Sequence, residues 1–169
     1  MKKREQGLFT VEFAIIAAVM FLILFTVIEL SRLIYVWNTA NEATRRGARV
    51  AAVCPIGHPA VLQETVFARS GSGSDSPILY NLTTGNVDVK YLAADGITET
   101  TNFQSVSYVS VAIVNYQLTL LIPFIDKTLS MPTFETTLPA ESLGFIPDLD
   151  DPGAAPLCSC FNIPAPCTT

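Results

Sequence analysis

Glu12 is the residue whose chemistry most needs explaining, because it is the only charged side chain between Leu8 and Ile28. A carboxylate placed inside a bilayer costs about 2.5–3.5 kcal/mol on insertion scales, so it calls for a compensating partner. The alternative is that it lies at the membrane surface, near a helix N-terminus, where the helix dipole favours negative charge. Just upstream, the basic leader Lys2-Lys3-Arg4-Glu5-Gln6 closes on Gly7. Glycine carries no side chain, so the backbone there is open to close approach.

The second group with chemistry is Cys54, Cys158, Cys160 and Cys167, with the single histidine His58. Four cysteines allow three pairings. Cys158 and Cys160 are too close to prefer each other, so the expected bonds join Cys54 to Cys158 or Cys160, with Cys167 taking the other. A zinc site would use the same cysteines and His58, but the spacing is Cys-x-Cys rather than paired Cys-x-x-Cys, and no metal is expected. Catalysis has little to work with. His58 follows Pro55-Ile56-Gly57 in what reads as a surface loop, and there is no nucleophile elbow, phosphate-cradling glycine loop or metalloprotease histidine pair. Asp148, Asp150 and Asp151 read as a solvated tail. The chain is expected not to be an enzyme and to need no cofactor.

The elements that must position these residues begin with the run from Leu8 to Ile28. At about 1.5 Å per residue it makes about 31 Å of helix, close to the hydrocarbon thickness of a bilayer. It exceeds the apolar core of a cleaved secretory signal, and Thr26-Val27-Ile28-Glu29-Leu30-Ser31 offers no small-x-small cleavage site. Neither Pro nor Gly occurs from Leu8 to Arg46. Ile34, Trp37, Ala40 (or Asn41), Thr44 and Ala48 recur at helical spacing, so the helix is expected to continue until Pro55 and Gly57 stop it. Glu42, Arg45, Arg46 and Arg49 fall elsewhere around it, placed for intrahelical pairs or for docking on an acidic domain.

Beyond it, Pro59–Arg69 reads as a short helix with Val61, Leu62, Val66 and Phe67 facing a core. Ser70–Pro77 reads as a loop. Val87, Val89 and Tyr91 alternate with Asp88 and Lys90 as in a half-buried strand; Val106–Leu121 is a longer β-rich run, and Pro132–Leu138 offers another strand. The fold class is therefore α+β, a long N-terminal transmembrane helix continuing into a domain with a small antiparallel sheet. The divisions are a leader at 1–7, a transmembrane helix at 8–30, its extension at 31–54, a soluble α+β domain at 55–145 and a Pro/Cys-rich tail at 146–169.

Charge bears on partners and, together with cysteine content, on orientation. Ten Lys and Arg stand against fifteen Asp and Glu, with a pI near 4.7, the wrong sign for a nucleic-acid partner. Basic residues flank the span on both sides, so the positive-inside rule is nearly tied. After residue 50 the only bases are Arg69, Lys90 and Lys127, against eleven acids. A short basic tail stays inside more easily than an acidic domain, and four cysteines suit an oxidising compartment. The N-terminus is expected in the cytoplasm and the C-terminal domain in the periplasm.

Gly7-Leu8-Phe9-Thr10-Val11-Glu12, between a basic leader and a full-length span, resembles a class III, type IV pilin-like signal. The stretch Asn41-Glu42-Ala43-Thr44-Arg45-Arg46-Gly47-Ala48-Arg49 resembles the Glu-Ala-x-Arg-x-Gly-Ala-Arg region of TadE-like proteins, minor pilin-like subunits of the tight-adherence (type IVc) pilus system. The commoner type IVa pilins and type II pseudopilins usually read Gly-Phe-Thr-Leu-Ile-Glu-Leu, and this chain departs from that pattern toward the Tad type. The resemblance implies processing after Gly7 by a membrane aspartyl protease, the prepilin peptidase. It implies that Glu12 pairs with the new N-terminal ammonium of a neighbouring subunit, setting axial register. Its implied partners are the prepilin peptidase, other pilin-like subunits and the bacterial inner membrane, with incorporation into a surface pilus for adhesion. The competing reading is an uncleaved, single-span anchored binding or receptor domain in the periplasm.

Overall fold

A computed structural model describes residues 5–68, 73–121, 127–143, 145–146, 157–160 and 163–166, with side chains described only between Phe9 and Leu143. The first element, α1, is a 49-residue helix, Glu5–Val53. It stops where the sequence says it must. Cys54 donates its amide to Val50 O at 2.9 Å, and Pro55 then disfavours helical geometry for the residue before it. Gly57, at φ +74°, supplies the left-handed residue that turns the chain away. The Ala52 carbonyl, one of those a helix end leaves unpaired, accepts the amides of Glu141 at 3.1 Å and Leu143 at 3.3 Å.

The chain divides into two compact units. One comprises Met1–Trp37 with Thr119–Leu129, the other Asn38–Leu118 with Ser130–Thr169. In the first unit the most apolar 18-residue window of α1 has a mean hydropathy of 2.8, and none of it is buried. Phe13 and Leu22 are 73% and 67% exposed. A helix this apolar all round, with no protein covering it, is suited to cross a membrane.

The second unit is a small α+β domain. Its sheet is antiparallel in the order β1 (Val87–Leu92), β2 (Tyr108–Ile113), β5 (Phe134–Pro139). Val89 faces Val111 across the first pair, and Val111 faces Thr136 across the second. The central strand is buried from Val109 to Ile113, as a strand covered by neighbours on both edges should be. A short ribbon pairs β3 (Gln117–Thr119) with β4 (Thr128–Ser130). Further along, β6 (Phe145–Ile146), β7 (Leu157–Cys160) and β8 (Ile163–Pro166) form a second antiparallel sheet, with prolines confined to its edge strand. The expected α+β class is what the chain adopts.

Several expectations need correction. The β-rich run at 106–121 is two strands, because Asn115 takes a left-handed conformation (φ 55°) that a strand cannot contain. The short helix α2 ends early, at Pro59–Thr65. Val66 then caps it and Phe67 turns left-handed at φ 59°, while Arg69 lies outside the described residues. Of its expected core residues, Val61 and Val66 are buried, whereas Leu62 and Phe67 are half-buried. On α1, of the residues that recur at helical spacing, Ala40, Thr44 and Ala48 are buried, whereas Ile34 and Trp37 are exposed. Ala43, Gly47 and Ala51 complete the buried stripe. Small side chains allow close approach, and Gly47 has Thr65 and Val111 directly against it. Val109, Val111, Val61, Tyr91 and Leu143 complete that core.

Candidate functional site

The candidate residues Gly7, Leu8 and Glu12 lie along α1. Gly7 and Leu8 both lie within the helix, so the bond between them is part of a helical backbone. Seven residues after the helix start, Glu12 is exposed, with no hydrogen bond or ion pair among the described residues.

A second carboxylate on α1 is handled differently. Glu29, one residue past the apolar run, is only 7% exposed. It accepts a hydrogen bond from Arg32 Nη1 at 2.9 Å and a longer one from the Leu121 amide at 3.4 Å. Phe25, Ile28 and Leu121 line a small cavity with it. Sequence reasoning passed over Glu29. The i,i+3 spacing of Glu29 and Arg32 at the end of an apolar run was the available signal, but the Leu121 amide comes from 92 residues away.

The arginines farther along α1 also sort themselves. Arg46 turns away from Glu42 and binds Glu64 of α2, with Nε at 2.8 Å and Nη2 as a second donor to the same oxygen. Its guanidinium also lies over the Phe67 ring at 5.7 Å. The docking alternative holds for Arg46, and intrahelical pairing does not. Arg45 and Arg49 are exposed. Arg49 borders an open cavity of about 290 Å³ with Ala52, Val53, Leu138, Pro139 and Glu141.

His58 has a structural task the sequence reading missed. It is the N-cap of α2, its Nδ1 accepting the Ala60 amide at 3.2 Å, with Pro59 in the first turn. Beside it, the Tyr91 hydroxyl accepts the Gly57 amide at 3.4 Å, and burial pushes the phenol above its ordinary pKa. Cys54 is 1% exposed. Cys158 and Cys160 belong to β7, where Cys158 faces Phe145, while Cys167 and Asp148–Asp151 lie outside the described residues. Among the described residues, no group of three His, Cys, Asp or Glu could hold a metal ion.

The helix α1 is apolar and, among the described residues, uncovered over its N-terminal part, and then packs by a stripe of small residues against a three-stranded antiparallel sheet. Residues 7–49 match the family model described as TadE-like protein, so the stretch from Gly7 to Arg49 is TadE-like. That match begins at the candidate processing glycine and runs through Glu12, the apolar span and the Arg45–Arg49 segment. No curated protein and no solved structure gives a significant match to the chain.

Proposed function

We propose that the chain is a minor pilin-like subunit of a tight-adherence (type IVc) pilus system, processed by prepilin peptidase after Gly7 and working in pilus assembly and surface adhesion. The observation that carries this reading is the placing of Gly7 and Glu12 at the head of a TadE-like stretch whose apolar window is uncovered by protein. The subunit is held in the inner membrane by α1 before assembly, N-terminus in the cytoplasm and sheet domain in the periplasm. It acts as a protease substrate and a building block, not a catalyst. The major-subunit role suits a very short, mostly helical peptide, and this chain instead carries a folded head.

The Gly7–Leu8 bond lies in a helix, so a protease must unwind the first turns to reach it. Glycine makes that local opening easier, because it destabilises a helix interior by about 1 kcal/mol relative to alanine. After cleavage, the Leu8 ammonium and a neighbour's Glu12 would cancel each other's charge in a low-dielectric setting. A disulfide at Cys54 would tie the C-terminal strands to the end of α1, through Cys158 or Cys160.

Mass spectrometry of the protein purified from membranes with an active prepilin peptidase tests the reading. A mature chain beginning at Leu8 is expected. An intact Met1 or Lys2 would overturn it in favour of an uncleaved anchored receptor domain.

A further inference from the structure

The β3–β4 ribbon returns to the membrane end of α1. The Leu120 amide bonds the Lys127 carbonyl at 3.0 Å. Next in the chain, Leu121 donates its amide to the Glu29 carboxylate, and its side chain is 65% exposed beside Phe25 and Ile28. Phe25 and Ile28 are the last turn of the apolar run.

We infer that the ribbon is a second membrane contact, with Leu121 seated in lipid at the outer boundary of the bilayer beside Phe25 and Ile28. The inference rests on the reading of α1 as a membrane span. Depth carries the argument. If residues 8–28 occupy about 31 Å of hydrocarbon, the final turn lies within a few ångströms of its edge. A side chain touching that turn shares its depth. Leu121 exposes apolar surface there, and removing it from water is favourable by about 25 cal/mol per Å².

The same placement accounts for Glu29. A carboxylate at the edge of the hydrocarbon loses much of its hydration, and a charged or polar group so placed needs local donors. Arg32 and the Leu121 amide supply them, which also fixes the ribbon at that height. A subunit leaving the bilayer would have to withdraw this contact together with α1.

The test uses the full chain in phosphatidylcholine–phosphatidylglycerol vesicles that carry nitroxide groups at a shallow acyl-chain position. Trp37 is the only tryptophan, so Trp37→Phe gives a silent background. Leu121→Trp is the reporter, Phe25→Trp the span control and Tyr80→Trp the aqueous control, since Tyr80 is 75% exposed on the sheet domain's side of the chain division. Leu121→Trp is expected to be quenched at least half as strongly as Phe25→Trp and several-fold more than Tyr80→Trp. Quenching no greater than that of Tyr80→Trp, with Phe25→Trp quenched normally, would overturn the inference while leaving the span intact. An unquenched Phe25→Trp would instead remove the span itself. Emission at position 121 that shifts to the blue only as protein-to-lipid ratio rises, without nitroxide quenching, would mean that another copy covers the leucine, and would also overturn it. Photoreactive acyl-chain lipids give the same reading on the unsubstituted protein, with label expected in the peptide containing Leu121 and its absence counting against the inference.

Discussion

Gly47 of α1 and Thr65 of α2 are so close that a Cβ on residue 47 would stand 2.0 Å from the Thr65 hydroxyl oxygen. A glycine in mid-helix ordinarily lowers stability, and replacing it with alanine ordinarily gains about 1 kcal/mol. Here the sign reverses. Thr65 is fully buried, its hydroxyl bonds the Val61 carbonyl at 2.7 Å, and Val111 closes the other side at 3.1 Å. Gly47→Ala should therefore destabilise the sheet domain by about 1–3 kcal/mol, the usual range for overpacking. Thermal unfolding of the full chain in detergent measures it. Thr65→Ala should recover part of the loss in the double variant, and an unchanged or higher midpoint for Gly47→Ala alone would contradict the packing described.

Glu12 separates assembly from anchoring. As a plain membrane anchor, α1 should insert equally well or better with Glu12→Ala, since an uncompensated carboxylate is unfavourable in lipid. As a pilin-like subunit it should still be processed, while cross-linking to partner subunits and piliation fall by at least tenfold. Glu12→Gln should fail in the same way, because it keeps shape but not charge. Normal piliation in both variants would show that Glu12 is only a helix-end carboxylate.

A disulfide at Cys54 would close a long loop, since every other cysteine lies at residue 158 or beyond. Cross-links of that kind are worth about 2–4 kcal/mol. Reduction should lower the unfolding midpoint of the domain measurably, and peptide mapping of the unreduced protein should join Cys54 to the Cys158–Cys160 peptide. Alkylation of all four cysteines without reductant would refute both statements.

Asp95 sets an acid response that has nothing to do with the membrane. The Thr98 hydroxyl and then the amides of Thr98 and Ile97 donate to its carboxylate, lowering its pKa from 3.8 to about 2. A depressed carboxylate contributes stability in full above its unfolded pKa, and that contribution is lost as pH falls from about 4 toward about 2. Asp95→Asn should flatten the dependence of the unfolding midpoint on pH across that window. An identical acid profile in the variant would show that the turn at Asp95 does not couple to folding.

Much of α1 is legible from residues alone. Its membrane-length apolar run shows in the near-absence of charge from Leu8 to Ile28, and its end in Pro55, because both are local properties that need no partner. The β1 strand is legible for the same reason, since Val87, Val89 and Tyr91 alternate with polar neighbours. The boundary inside 106–121 was not. Val114 and Tyr116 carry strand-like composition through the turn, and only the left-handed backbone of Asn115 separates β2 from β3.

The sequence by itself determined that a basic stretch, Gly7 and Glu12 stand at the head of a membrane-length helix, and that an α+β domain follows. Hydrophobic run length, charge and proline act within one segment, so they can be read without knowing what lies across from it. The tertiary structure alone decided which face of the helix is buried. Large Ile34 and Trp37 are exposed while Ala40, Ala43, Gly47 and Ala48 are covered, because the approach of Thr65 and Val111 selects small side chains over apolar ones. It also decided the partners of Glu29 and Arg46, since Leu121 and Glu64 reach them only after the intervening chain has folded back.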